Sequence, residues 1–266
     1  MSAGSGPGTT AGREPSAGAR RAGQMGGRRR RVAPTLELEA ACRPPGGLVA
    51  GIDEVGRGAW AGPLTVGVAV VAGGAAVPHG LADSKLLTEP VREAMFDPLG
   101  TWCASWAVGH ASPAECDALG MTAALAVACG RALESLAPAW WPAALILDGV
   151  LDYASPALAT LAESLPGCCP MPVVRTVVRG DRTCASVAAA SVLAKVTRDR
   201  IMRQDAAHFP AFDFDRNKGY PSPVHRRALD GYGPTAIHRR SWSYVAGLPW
   251  PGTGSGAAAG AGAEGG

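Results

Sequence analysis

The chain is poor in aromatic residues, with 15 among 266, and only 18% of its residues are charged. It has no uninterrupted apolar run approaching the ~18–20 residues that a membrane-spanning helix requires, so no membrane span is expected. None of its seven cysteines (Cys42, Cys103, Cys116, Cys129, Cys168, Cys169 and Cys184) belongs to a Cys-x-x-Cys pair, and no histidine cluster lies near them. A structural zinc site and a disulfide framework are therefore not expected, and a reducing, cytoplasmic setting fits this usage. No apolar stretch follows the basic N-terminal residues, so they do not read as a secretory signal. No internal repeat is visible. What is present is enough length and apolar content, 47% of residues, to bury one sizeable core.

The net charge of +3 is unevenly spread. Residues 1–31 carry seven arginines against one glutamate, residues 32–174 five basic against fourteen acidic groups, and residues 175–240 thirteen basic against six acidic. An acidic half beside a basic half points to a protein that handles both cations and a polyanion. The composition predicts a disordered basic tail over 1–34 and a disordered Gly/Ala tail over 251–266, because neither holds enough large apolar side chains to offset its ordering entropy. The block Arg28–Arg31 reads either as a solvated tail or as a non-specific nucleic-acid arm.

Between the tails, Val-rich runs at Leu48–Asp53 and Leu64–Val71 predict two adjacent strands, and further strands are expected at Trp102–Val108, Ala143–Leu147 and Val173–Val178. Helices are expected after Thr88 (a short one), from Ser112, over Met121–Leu136 and over Cys184–Met202, where Ala and Ser suit close packing on a sheet. The pattern is α/β with a mixed sheet. It divides into a catalytic domain at 35–207 and a small helical C-terminal part at 208–250.

The carboxylates stand where the strands end. Asp53-Glu54 closes the first strand before Gly56-Arg57-Gly58, and the pair can converge on one site only if the strand stops there. Asp148 ends the run Leu145-Ile146-Leu147, at the kind of edge where open α/β sheets place chemistry. For a fourth carboxylate, Asp181 and Asp199 compete. On one continuous helix they would lie roughly 27 Å apart and could not share a site. Asp181 follows a strand directly. Asp199 has Lys195 and Arg203 four residues away on either side and reads as an ion-paired helix residue. Asp53, Glu54, Asp148 and Asp181 then form an oxygen-only donor set suited to Mg²⁺ or Mn²⁺. Two such ions roughly 4 Å apart would activate a water and stabilise the leaving oxygen of a phosphodiester.

These residues also carry a resemblance. Gly51 through Pro63, Asp83-Ser84-Lys85, Leu147-Asp148-Gly149, Arg179-Gly180-Asp181, the long stretch Ser186–Asp199, Lys218-Gly219-Tyr220 and His238-Arg239-Arg240-Ser241 occur in the order found in type 2 ribonucleases H. The chain resembles that family over about 48–245. The resemblance implies a ribonuclease-H-like five-stranded mixed sheet flanked by helices, with a small helical C-terminal part. It implies a monomeric, metal-dependent endoribonuclease that uses two Mn²⁺ or Mg²⁺ ions. Such an enzyme cuts the RNA strand of RNA–DNA hybrids and the 5′ side of single ribonucleotides in duplex DNA, leaving 5′-phosphate and 3′-hydroxyl ends. That activity belongs to ribonucleotide excision repair and DNA replication. Asp53, Glu54, Asp148 and Asp181 match the family's metal-binding carboxylates. Gly56-Arg57-Gly58 matches its backbone reader of the ribonucleotide, where missing Cβ atoms let the main chain reach the 2′-hydroxyl. Tyr220 matches the tyrosine that stacks on the following deoxyribose, and Lys85 and Arg57 are expected to neutralise phosphate.

The match has departures. Val150 stands where the family usually has Asn, Leu86 replaces a frequent second Lys, and the connector around 151–170 is longer than usual. His238-Arg239-Arg240 reads equally well as a phosphate clamp or as C-terminal packing. Two rival readings are a type 3 enzyme, disfavoured by Gly56-Arg57-Gly58, and a catalytically dead hybrid-binding module, disfavoured by the intact carboxylates.

Overall fold

A computed structural model describes Gly8 and residues 33–74, 76–162 and 169–250. The tails expected over 1–34 and 251–266 lie outside these residues apart from Gly8, Ala33 and Pro34. One mixed sheet is built from β1 (Val49–Val55), β2 (Leu64–Val71), β3 (Ser105–Ala111), β4 (Ala144–Asp148) and β5 (Val173–Val177). The strand order is β3-β2-β1-β4-β5. β2 runs antiparallel to both β1 and β3, while β4 pairs in parallel with β1 and β5 in parallel with β4. The five-stranded mixed sheet expected from the sequence is present.

The helices are α1 (Glu37–Cys42), α2 (Glu89–Trp102), α3 (Pro113–Leu119), α4 (Met121–Glu134), α5 (Ala154–Leu161), α6 (Gly180–Thr183), α7 (Ala185–His208), α8 (Phe214–Asn217), α9 (Pro223–Tyr232) and α10 (Ser243–Ala246). Ser112 starts α3 as expected, through a capping box: its hydroxyl accepts from Glu115 N at 3.2 Å, and the Glu115 carboxylate accepts from Ser112 N at 2.8 Å. No helix among the described residues is long and apolar enough to cross a membrane.

Alternation along the strands sorts the core into two layers. Ala50, Ile52, Val66 and Val68 pack against Leu125 and Leu133 of α4 and Leu158 of α5. The opposite face receives α7, which comes so close that a Cβ on Gly51 would lie 2.2 Å from the Ser186 carbonyl carbon. The small side chains of α7 make this contact possible. A third cluster, with Trp60, Phe212, Phe214, Leu229 and Val245, joins the C-terminal helices to the turn after β1.

Several expectations need correction. The helix after Thr88 is not short; it runs fourteen residues to Trp102, and Thr88 makes no side-chain cap. β3 therefore begins at Ser105, after the backbone turns extended at Cys103, whose N–H still donates to Leu99 O. An apolar run alone cannot separate a helix end from a strand start. α5 was not foreseen; Asp152 caps it by accepting from Ala154 N and Ser155 N at 3.0 and 2.9 Å. Asp181 and Asp199 lie on separate helices, in line with the helix expected from Cys184, since Cys184 is extended (φ −105°, ψ 123°) and separates α6 from α7.

Candidate active site

The site forms at the sheet edge where β1, β4 and β5 end. Gly51 faces α7, and by alternation so does Asp53, while Ile52 and Glu54 face the α4–α5 layer. Asp53 is 3% exposed. Its carboxylate accepts from Glu54 N at 2.8 Å and from the Ser191 hydroxyl on α7. Glu54 instead accepts from the Tyr153 hydroxyl at 3.2 Å and lies 3.7 Å from the Arg57 guanidinium. Asp148 ends β4 and accepts from Gly180 N at 2.7 Å. Asp181 sits on α6, two residues beyond Arg179, whose left-handed backbone (φ 59°) turns the chain from β5 into that helix.

Carboxylate oxygens of Asp53, Asp148 and Asp181 all lie within 4.8 Å of one another. Glu54 is not one of the three. The strand does not stop at Asp53 as the sequence suggested; β1 stays paired with β2 through Val55, so Asp53 and Glu54 remain on opposite faces. Both still line one cavity of about 260 Å³.

The trio is electrostatically costly. Burial pushes the Asp53 carboxyl up to about 8; the Ser191 hydrogen bond opposes this, Glu54 and Asp148 reinforce it, and Lys85 opposes it in turn. Burial, then Asp148 and Asp83, raise Asp181 to about 6. Lys85 Nζ stands 3.7 Å from Asp181 but is largely exposed, so it screens the cluster only partly. Three crowded oxygen donors with little matching positive charge fit a hard divalent cation.

Gly56, Arg57, Gly58, Lys85 and Tyr220, all singled out in the sequence, line the same cavity. The two glycines differ. Gly56 has φ +88°, and a Cβ there would lie 2.3 Å from Arg198 Nε, so the fold itself demands glycine. Gly58 has no such φ, and its nearest neighbour would be Tyr220 Cε1 at 4.0 Å. Its bareness serves the cavity rather than the fold. The Tyr220 hydroxyl accepts from Gly56 N at 3.1 Å.

Two fully buried arginines set this loop, and sequence reasoning missed their part. Arg198 donates to the carbonyls of Pro63, Lys218 and Ala61 at 2.8, 2.8 and 3.0 Å. Arg239 donates to Arg57 O and Gly62 O. His238 and Arg239 are thus C-terminal packing residues, 2% and 0% exposed. Ser191, read from the sequence as needing no chemistry, holds Asp53 and meets the Ser84 hydroxyl at 2.8 Å. Tyr153 was also missed. Asp199 pairs with Lys195 at 2.6 Å as expected, but its second partner is Arg92 at 3.7 Å. Arg203 pairs with Glu89 and Glu93 instead.

The sequence profile described as Ribonuclease HII matches residues 50–245. The chain belongs to the ribonuclease HII family. Proteins named ribonuclease HII from Streptomyces griseus and Streptomyces avermitilis are 52% identical over 222 residues and 49% identical over 218. Each match covers 81% of this chain and 86% of the relative. Among solved structures, ribonuclease H2 from Pyrococcus horikoshii is similar with a TM-score of 0.60 at 30% identity, over 74% of this chain and 95% of that one. Bst-RNase HIII in complex with Mn²⁺ shares the fold, with a TM-score of 0.54 at 20% identity over 74% of this chain and 68% of that one. As a ribonuclease HII, the protein is a metal-dependent ribonuclease of a family that cleaves RNA in RNA–DNA hybrids.

Proposed function

We propose that this ribonuclease HII cuts both the RNA strand of RNA–DNA hybrids and the 5′ side of a single ribonucleotide embedded in duplex DNA, leaving 5′-phosphate and 3′-hydroxyl ends. The observation that carries this reading is the placing of bare main chain at Gly58 in the same cavity as Asp53 and Glu54, with Tyr220 opposite. A 2′-hydroxyl can both donate and accept, so backbone groups can recognise it without reading a base.

Asp53, Asp148 and Asp181 are the residues that would hold two Mg²⁺ or Mn²⁺ ions, with Glu54 contributing from the other side of β1. Bound there, such cations would activate the attacking water and neutralise the leaving oxygen. The chain's own groups do the rest. Ser191 and Gly180 N orient two of the carboxylates. Lys85 and Arg57 offer positive charge to the phosphate. The Tyr220 ring supplies a flat face for the sugar after the ribonucleotide. The catalytic domain at 35–207 supplies the carboxylates, the C-terminal part at 208–250 supplies Tyr220, and the protein works as a monomer.

The test is a duplex carrying one ribonucleotide, incubated with Mg²⁺ or Mn²⁺. The expected product is a nick on the 5′ side of the ribonucleotide. Cleavage of continuous hybrids alone would place the chain with enzymes that ignore lone ribonucleotides. No cleavage of either substrate by folded protein would overturn the reading.

A further inference from the structure

His225 and His238 form a buried pair behind Tyr220, 0% and 2% exposed. Their Nε2 atoms are 2.9 Å apart. The outer partners fix the direction of every bond in the chain they make. Thr235 N, which can only donate, lies 2.9 Å from His238 Nδ1. That nitrogen therefore carries the lone pair, and the proton of the neutral ring sits on Nε2. His225 Nε2 must then accept, which puts its own proton on Nδ1. Nδ1 lies 3.0 Å from the Tyr220 carbonyl oxygen, which can only accept. A single tautomer of each ring satisfies the run from Thr235 N–H through His238 and His225 to Tyr220 C=O. The rings of Phe212, Phe214 and Trp60 pack around the pair and hold both imidazoles in place.

The rest of the Tyr220 backbone is pinned as well. Gly219 O accepts from Trp60 N at 2.8 Å, and Tyr220 N donates to Asn217 O at 2.9 Å. The hydroxyl at the far end of the ring accepts from Gly56 N. The peptide plane after Tyr220 is the remaining freedom, and the following Pro221 has no N–H to hold it. His225 holds it.

We propose that the His225–His238 pair is a positioning element for Tyr220: by fixing that residue's carbonyl it sets the angle of the ring across from Gly58, and so the enzyme's preference for a lone ribonucleotide in duplex DNA. The inference rests on the reading of Tyr220 as a substrate-contacting residue. Neither histidine lines the cavity; both act through Tyr220.

Two substitutions separate positioning from packing. His225→Asn keeps an N–H near the Nδ1 position and can still donate to Tyr220 O, whereas His225→Gln keeps one near Nε2 and cannot. Asn leaves the larger void, so packing alone predicts the greater loss for Asn, the reverse of what positioning predicts. The measurements are KM and kcat on duplexes with one embedded ribonucleotide and on continuous hybrids, with thermal melts alongside. The expected result is that His225→Gln raises KM for the embedded substrate about tenfold, the scale of one lost hydrogen bond, while His225→Asn stays near wild type. In a Tyr220→Ala background, His225→Gln should add nothing. Equal losses for Asn and Gln that follow the melting temperature would overturn the proposal. A harmless His225→Gln beside a damaging Tyr220→Ala would overturn it and leave the reading of Tyr220 standing. A harmless Tyr220→Ala would overturn both. If the variants do not fold, ¹⁵N NMR of the wild-type histidines decides: His225 protonated at Nδ1 and His238 at Nε2 supports the relay, and the opposite tautomers overturn it.

Discussion

Asp53 and Glu54 are consecutive in the chain, yet they serve opposite faces of the sheet: Asp53 meets Ser191 of α7, and Glu54 meets Tyr153 at the start of α5. One peptide unit thus ties the two helical layers to one cavity. Their substitutions should therefore diverge. Asp53→Asn should abolish cleavage and stabilise the metal-free protein by about 1–2 kcal/mol, since the wild-type carboxyl, pushed up to about 8, must take up a proton or bury its charge to fold. Glu54→Gln should reduce cleavage with a smaller gain, because burial raises its carboxyl too but Tyr153 and Arg57 partly offset that cost. Calorimetry without divalent ions checks this; a metal-free Asp53→Asn protein less stable than wild type would contradict it.

Asp181 and Asp199 should separate just as clearly. Asp181→Asn removes a member of the crowded trio and should stop the chemical step with little loss of substrate binding, because phosphate contacts lie elsewhere. Asp199→Asn leaves Lys195 and Arg92 facing each other and should cost about 3 kcal/mol of stability. Single-turnover cleavage read beside urea unfolding distinguishes the two. An Asp199→Asn protein as impaired in the chemical step as Asp181→Asn, at equal folded fraction, would show that Asp199 had been misassigned.

The paired glycines offer a third contrast. Gly56→Ala should destabilise by about 1–3 kcal/mol, since it adds a Cβ at positive φ against Arg198 and Pro63 O. Gly58→Ala should stay within about 0.5 kcal/mol of wild type. It should nevertheless raise KM for duplexes with one ribonucleotide, because its methyl group would occupy the approach to the 2′-hydroxyl. Normal kinetics in Gly58→Ala would remove the main-chain recognition argument.

The buried histidines make stability depend on pH. Burial pushes His238 down to about 3 and also lowers His225 from its ordinary value of 6.5. Above pH 6.5 both states leave these rings neutral, and their contribution is fully present. As pH falls below 6.5 the unfolded chain takes up protons that the folded protein refuses, and this stability is lost progressively towards pH 3, at about 1.4 kcal/mol per pH unit for each withheld proton. The difference in unfolding free energy between wild type and His238→Gln should therefore shrink between pH 7.5 and pH 5. A constant difference would show that His238 is not held neutral.

Much of this was legible because strand ends announce themselves. Val-rich runs closed by Asp53 and Asp148 placed two carboxylates at one edge, and Ser112 marked a helix start. Trp102 was misread because an apolar run has no inherent period when it straddles a helix end. The long helix starts one residue after the Cys184 expected from the sequence, but the short α6 before it was not legible, because the extended Cys184 that separates the two bridges to Thr35, far away in the chain. Ser191 was hidden within an Ala/Ser run whose small size was explanation enough. Arg198 and Arg239 were invisible as carbonyl clamps, because a fully buried guanidinium is satisfied by oxygens that only the folded backbone brings together.

The parallel pairing of β1, β4 and β5 has a consequence for the protein's birth. The carboxylate trio comes from residues 53, 148 and 181, joined by crossovers rather than hairpins, and Tyr220 follows later still. Chains emerge from the ribosome N-terminus first, and parallel strands cannot pair until their crossover is complete. A nascent chain that ends before α6 carries two carboxylates but not the third. A centre able to hold the cations therefore cannot assemble until residue 181 has left the ribosome.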